Sequence, residues 1–174
     1  MKAEALFYYL IFNKRATRDE LVALFWSDTD EKNAKKNLRN AIYKLKKAFD
    51  MDVIVSPQKS VVYINEGINI DVDIDSFNKE DINSYEKYKG EFLKGFIVKN
   101  AEEFNKWASN KRIELRESYI AKLNNVLEVN LDEEDLKNGE KILKLLIKED
   151  EFEEMNYRLL ITLYKNQGKY LKAL

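Results

Sequence analysis

The stretch from Asp30 to Phe49 constrains the fold more than any other part of the chain, because its apolar residues recur at helical spacing on one side only. At 100° per residue, one stripe of such a helix carries Ala34, Leu38, Ala41, Ile42, Leu45 and Phe49. The opposite face carries mainly cations and amides, namely Lys32, Lys36, Arg39, Asn40, Tyr43 and Lys47. The pattern predicts a helix that packs on a core through one side and leaves a polar, cationic face outside.

The residues before this helix predict two further helices. The apolar run from Ala3 to Phe12 predicts a buried first helix. The segment Thr17-Arg18-Asp19-Glu20 is a capping box, which predicts that a second helix starts there and ends near Trp26. Residues 27–30 are polar and predict a tight turn into the basic helix.

After Phe49 the apolar residues alternate, which is typical of strands. Two strands are predicted at 53–55 and 61–64, around a polar loop that carries one cation, Lys59. Residues 68–74 also alternate and predict a further strand. Helix, short turn, longer basic helix and hairpin follow one another in the order of a winged helix-turn-helix.

Composition excludes several functions. The 174 residues contain no Cys and no His, which removes disulfides, zinc fingers and thiol or imidazole catalysis; we expect a protein that is not an enzyme and needs no cofactor or metal. The net charge is −1, but residues 29–49 hold seven cations against two acids, a local charge of +5. No secretory signal or membrane span is recognisable, which favours a cytoplasmic protein without membrane contact.

The second half of the chain is predicted to be helical. Amphipathic patterns predict a long helix at 102–129 and two shorter helices at 133–147 and 153–166. Gly168 is placed to cap the last of these helices. A shift of 34 residues pairs Leu136 with Tyr170 and Gly139 with Ala173, which is the period of tetratricopeptide (TPR) repeats. We therefore predict a mainly α protein with a small β wing: a winged helix-turn-helix domain at 1–78, and a TPR-like helical domain at 79–174 that is truncated within its next helix.

The basic helix supplies candidates for contact with DNA. Arginine and lysine can donate to guanine, and asparagine can pair with adenine, in the major groove. The residues assigned to the groove are Lys36, Arg39, Asn40 and Tyr43. The residues assigned to phosphates, which position a protein without reading sequence, are Lys32, Lys35, Lys44, Lys47 and the wing residue Lys59.

Other patterns have simpler interpretations. A basic helix face is often only a solvated face, and the predicted scaffold around it is what favours DNA. Asp71, Asp73 and Asp75 would share a strand face and could be metal ligands, but a solvated edge with Asp75 capping a helix at Ser76 explains them better. Glu133, Glu134 and Asp135 are typical of the first turn of a helix.

Two segments together resemble a known family. Residues 1–75 look like an OmpR-type winged helix, and the run Asn37 to Phe49 resembles the recognition helix of SARP-type bacterial transcriptional activators. The second half resembles the bacterial transcriptional activator domain of the same family. That similarity is carried by Tyr88-Lys89-Gly90-Glu91-Phe92-Leu93-Lys94-Gly95-Phe96, Trp107, Arg112, Leu115, Tyr119, Glu154, Leu159, Leu160, Tyr164 and Gly168. The family places a small sheet before the first helix, and this chain opens directly into that helix.

The resemblance implies a sequence-specific transcriptional activator. Its winged helix would bind repeats in double-stranded promoter DNA and recruit RNA polymerase, and its helical domain would transmit regulation or form a homodimer. An alternative is a protein-interaction module or adaptor, in which the TPR-like half binds a partner and the winged helix does not bind DNA.

Overall fold

The computed structural model describes residues 1–49, 51–132 and 135–173. Over these residues the protein is mainly helical and carries a small three-stranded antiparallel sheet, which confirms the predicted fold class at that level. The α-helices are α1 (Lys2–Asn13), α2 (Arg18–Trp26), α3 (Glu31–Ala48), α4 (Asp73–Phe77), α5 (Glu102–Asp132), α6 (Leu136–Glu149) and α7 (Glu154–Asn166). The strands are β1 (Arg15–Thr17), β2 (Ile54–Val55) and β3 (Val61–Ile64), and short 3-10 helices cover Ile82–Lys87 and Tyr170–Lys172.

The chain forms two compact units that are not consecutive in sequence. The first unit comprises Met1–Ile70 and Phe92–Arg112, and the second comprises Asp71–Glu91 and Ile113–Leu174. The domain boundary at residue 78 stays a prediction. Across the described ranges, the helices are too short or too polar to cross a lipid bilayer.

The capping predicted for α2 is confirmed. The Thr17 hydroxyl accepts a 3.1 Å hydrogen bond from the Glu20 N–H, and a Glu20 carboxylate oxygen accepts from the Thr17 N–H at 3.3 Å. The second Glu20 oxygen accepts a 2.5 Å hydrogen bond from the Tyr9 hydroxyl. Burial and this carboxylate raise the pKa of Tyr9, so the hydroxyl stays protonated and ties α1 to the start of α2.

The sheet contains one strand that the sequence pattern did not predict. β3 lies in the centre and pairs antiparallel with β2 on one edge and with β1 on the other. In β1 only Ala16 is buried, between exposed Arg15 and Thr17. Three residues are too few to show a period of two, which is why this strand was missed.

The strand predicted over residues 68–74 is wrong. Residues 68–72 form neither helix nor strand, and Asp73 and Asp75 lie inside the short helix α4. Asp75 therefore does not cap a helix at Ser76. Both edges of β3 are occupied, so a further strand has no place beside it; Ile68 and Ile70 instead pack against the core of the first unit.

The core of the first unit is completed by the start of α5. Phe104 is fully buried and stacks on Phe25 of α2, with ring centroids 5.1 Å apart. Trp107 packs edge-on against Tyr9 of α1 at 4.7 Å. Arg112 donates hydrogen bonds to the carbonyls of residues 92, 93 and 96 and so fixes the segment that precedes α5.

The second unit is built on helix packing. Tyr88 stacks on Tyr119 of α5 with ring centroids 4.1 Å apart. α6 and α7 approach closely at Gly139, where an added Cβ would lie 3.4 Å from Leu163. Gly168 has a φ of 69° and ends α7 as predicted, since its N–H donates to the Lys165 carbonyl. Asp135 was predicted to lie in the first turn of α6 but is its N-cap, and the helix begins at Leu136. The predictions for Glu133, Glu134 and Leu174 lie outside the described residues.

Candidate nucleic-acid interface

Helix α3 has the two faces that its sequence predicts. Its apolar stripe is buried, Phe49 just beyond it is half-buried, and all eight candidate residues on the helix are exposed. These are Lys32, Lys35, Lys36, Arg39, Asn40, Tyr43, Lys44 and Lys47. Tyr43 is 66% exposed although it is aromatic, so it does not serve the core.

Helical geometry sorts these side chains across the exposed face. Lys36, Tyr43 and Lys47 lie nearly opposite the buried stripe, at positions spaced by seven and four residues. Arg39 and Asn40 lie beside that line, one on each side. Lys35 and Lys44 lie at the two margins of the face. A major groove about 12 Å wide admits a helix. On such a helix the middle of this face would suit base edges, whereas Lys35 and Lys44 at its margins and Lys47 in the last turn of α3 would suit phosphates.

Ion pairs within and beside α3 use only part of its positive charge. Lys35 pairs with Glu31 one turn earlier, and this hydrogen bond raises the pKa of Lys35 and lowers that of Glu31. Lys46 lies 3.5 Å from Asp52. Among the described residues, five cations of the helix form no ion pair: Lys32, Lys36, Arg39, Lys44 and Lys47. Their charge is available to an external anion.

The start of α3 is fixed by its N-cap. The Asp30 carboxylate accepts hydrogen bonds from the Asn33 N–H at 3.1 Å and from the Asn33 side chain at 2.6 Å. These bonds stabilise the ionised carboxylate and lower the pKa of Asp30. The acid that begins the helix is therefore engaged with its own backbone.

The loop between β2 and β3 is held against the start of α2. The Arg18 N–H donates to the Ser60 carbonyl at 2.8 Å, and the Arg18 guanidinium Nε donates to the Lys59 carbonyl at 2.9 Å. Lys59 is exposed. Its backbone is thus positioned by α2 while its ammonium group remains in solvent, as a phosphate contact requires.

Arg18 is the residue that sequence reasoning missed. In the sequence it is only one of the four residues of the capping box. Its hydrogen bonds connect it to Lys59 and Ser60, which follow it by 41 and 42 positions in the chain. Spacing cannot reveal such a long-range contact to a backbone carbonyl. The only available signal was an arginine at the first position of a helix, where a cation opposes the helix dipole.

The acidic residues give no sign of a metal centre. Asp73 and Asp75 lie in α4 and do not share a strand face with Asp71. Within the described ranges, no three Asp or Glu side chains converge as a metal site would need.

A comparison with models of known protein families found no match, and a comparison with curated proteins found none either.

Proposed function

We propose that this protein binds double-stranded DNA in a sequence-specific manner and regulates transcription, with α3 as the helix that enters the major groove. The observation that carries this proposal is the exposed face of α3. Five of its cations form no ion pair among the described residues, and an exposed asparagine and an exposed tyrosine lie between them. A helix face that is only solvated gains nothing from a cluster of unpaired positive charges, whereas a face that binds DNA requires such charges for the phosphates.

The surrounding elements suit a winged helix. α2, the turn at residues 27–30 and α3 supply helix, turn and longer basic helix, and β2 and β3 supply a hairpin with a cation in its loop. The capping box of α2 and the Asp30 cap of α3 define where each helix begins. A rigid start matters because the N-terminal part of a recognition helix contacts base edges.

The contacts divide into two classes. Arg39 and Asn40, with Lys36 and Tyr43, read base edges through hydrogen bonds in the groove. Lys32, Lys35, Lys44, Lys47 and Lys59 contact phosphates and contribute affinity without sequence preference. Lys35 would exchange its partner Glu31 for a phosphate, so we expect it to contribute least.

The larger proposal is an activator of the SARP type. Two residues of that resemblance have separate structural roles: Arg112 donates hydrogen bonds to the segment of residues 92–96, and Trp107 packs against Tyr9. The close approach of α6 and α7 at Gly139 suits a TPR-like hairpin. In this proposal the protein binds promoter repeats, recruits RNA polymerase and uses its helical residues for regulation or for homodimer formation.

A band-shift assay with a library of tandem-repeat promoter sequences tests the proposal. Retention of a subset of sequences, with an affinity that falls steeply as salt rises, is the expected result. Binding that ignores sequence would contradict base reading. No binding at low salt would contradict the proposal as a whole and favour the adaptor, in which only the helical residues bind a partner.

A further inference from the structure

We propose that a groove in the second unit binds a short segment of a partner protein that carries a cationic side chain next to an apolar one. The groove encloses about 400 Å³. It is lined by residues from three helices and the turn between two of them: Ile120, Asn124, Leu146, Asp150, Glu153, Met155 and Asn156. None of these residues belongs to the proposed DNA interface.

The lining combines an apolar base with acidic groups. Ile120, Leu146 and Met155 supply apolar surface, and Met155 is 57% exposed, which is unusual for a large apolar side chain. Asp150 and Glu153 supply two carboxylates. An apolar side chain of a partner would bury itself against the first set and bring a neighbouring cation to the second.

The two carboxylates that line the groove are not compensated by ion pairs, unlike those of two neighbouring residues. Glu149 pairs with Arg116 at 3.4 Å, and Glu154 pairs with Arg158 at 3.1 Å. Asp150 and Glu153 form no ion pair within the described part of the chain. This difference gives the groove a negative charge and selects a basic occupant over an acidic one.

Asn156 offers a second and independent sign of a binding site. The residue is only 9% exposed and lines the groove, and none of the hydrogen bonds among the described residues involves its side-chain amide. Among the described residues, the fully buried side-chain polar atoms without a partner are Ser56 Oγ and Gln167 Oε1, so the Asn156 amide still reaches solvent and is open to an occupant of the groove. One amide carries both a donor and an acceptor, which matches the C=O and N–H groups of an extended peptide backbone.

Substitutions can remove the charges and keep the local structure. The Asp150 carboxylate accepts from the Phe152 N–H at 3.0 Å, and the Glu153 carboxylate accepts from the Met155 N–H at 3.1 Å. Asp150→Asn and Glu153→Gln keep an acceptor oxygen for each bond. Glu151→Gln removes the same charge from an exposed residue that does not line the groove, and is the matched control.

The test uses the full chain and a fluorescein-labelled panel of short peptides on a glycine–serine background. The peptides carry lysine beside leucine, glutamate beside leucine, or lysine without leucine. We expect only the first kind to bind, as measured by fluorescence anisotropy. Asp150→Asn and Glu153→Gln should each weaken it about two- to fivefold, Asn156→Ala roughly two- to tenfold, and Glu151→Gln should have no effect.

Several results would overturn the proposal. These are binding of none of the peptides, equal binding of lysine peptides with and without leucine, or equal weakening by Glu151→Gln. Sedimentation of the same variants tests for a different occupant, a second copy of this chain. If the wild type forms an oligomer, the groove variants do not, and no peptide binds, then the groove is a self-association surface. DNA binding by the variants should be unchanged, so the outcome is separable from that of the proposed function.

Discussion

Arg18 positions the backbone of Lys59 and does not engage its ammonium group, since the guanidinium Nε donates to the Lys59 carbonyl at 2.9 Å. The first residue of α2 thereby sets the position of Lys59, the proposed phosphate contact in the β2–β3 loop. A substitution of Lys59 should consequently remove a charge from the loop, whereas a substitution of Arg18 should change where that charge lies.

Lys59→Ala should remove one phosphate contact and leave the loop in place, because the hydrogen bond uses the backbone. We expect weaker binding to all DNA sequences alike and a decrease of about one in the slope of log K against log salt. Titrations at several salt concentrations with operator and random DNA measure both. A change in sequence preference at an unchanged slope would show that Lys59 is not a phosphate contact.

Arg18→Ala should loosen the loop at Lys59, because it removes the side-chain hydrogen bond to the Lys59 carbonyl and keeps the backbone bond to Ser60. In this variant a further Lys59→Ala change should cost less than it does in the wild type, because the two residues act on the same contact. A double-mutant cycle on DNA affinity measures this coupling. Strict additivity would mean that the loop keeps its position without Arg18.

The cap of α3 predicts a dependence of stability on pH. The lowered pKa of Asp30 means that its contribution to stability is complete above the ordinary pKa of 3.8 and is lost as the pH falls through the lower value of the folded state. Asp30→Asn keeps a capping side chain but does not titrate. Acid unfolding followed by circular dichroism should therefore show a weaker pH dependence below 3.8 in the variant. Identical acid profiles would contradict the assignment.

Phe104 predicts that the first unit depends on the start of α5. Phe104→Ala should lower the free energy of unfolding by about 3–5 kcal/mol, because it removes a fully buried ring that stacks on Phe25 and leaves a cavity in its place. Ile113, on the same helix and 57% exposed, is the control, and Ile113→Ala should change stability by no more than about 0.5 kcal/mol. Denaturant unfolding measures both, and equal effects would mean that residues 92–112 do not complete this core.

The sequence predicted the parts of the structure that a strong local pattern specifies. α3 follows from six apolar residues at helical spacing, and the start of α2 from a capping box, both of which act within a few residues. The apolar pattern of α5 predicted burial of Phe104 but could not say that its partner is Phe25, because periodicity carries no information on distant neighbours.

The failures have the same cause. β1 is too short to show a period of two, and it forms by pairing with one edge of β3, a contact that lies far away in the sequence. Residues 68–74 have the alternation of a strand but no free edge to pair with. For the candidate site, the exposed face of α3 was predicted residue by residue, whereas the role of Arg18 depends on a contact to a backbone atom in a distant loop.

Leu38→Ala is the control that distinguishes a loss of DNA binding caused by unfolding from one caused by a change in the exposed face of α3. Leu38 is 1% exposed, so Leu38→Ala should destabilise the protein by roughly 2–5 kcal/mol and reduce DNA binding only through unfolding. Arg39→Ala and Asn40→Ala change exposed residues and should leave stability within about 0.5 kcal/mol of wild type. Thermal unfolding of the three variants establishes which of them remain folded for the binding measurement.

The most direct test of α3 as the reading helix is the affinity of the folded Arg39→Ala and Asn40→Ala variants for the selected operator and for random DNA. Each substitution should cost about 1–3 kcal/mol at the operator, much less on random DNA, and should relax discrimination at particular base pairs. If both variants bind operator and random DNA as the wild type does, α3 is not the reading helix and the adaptor becomes the better account.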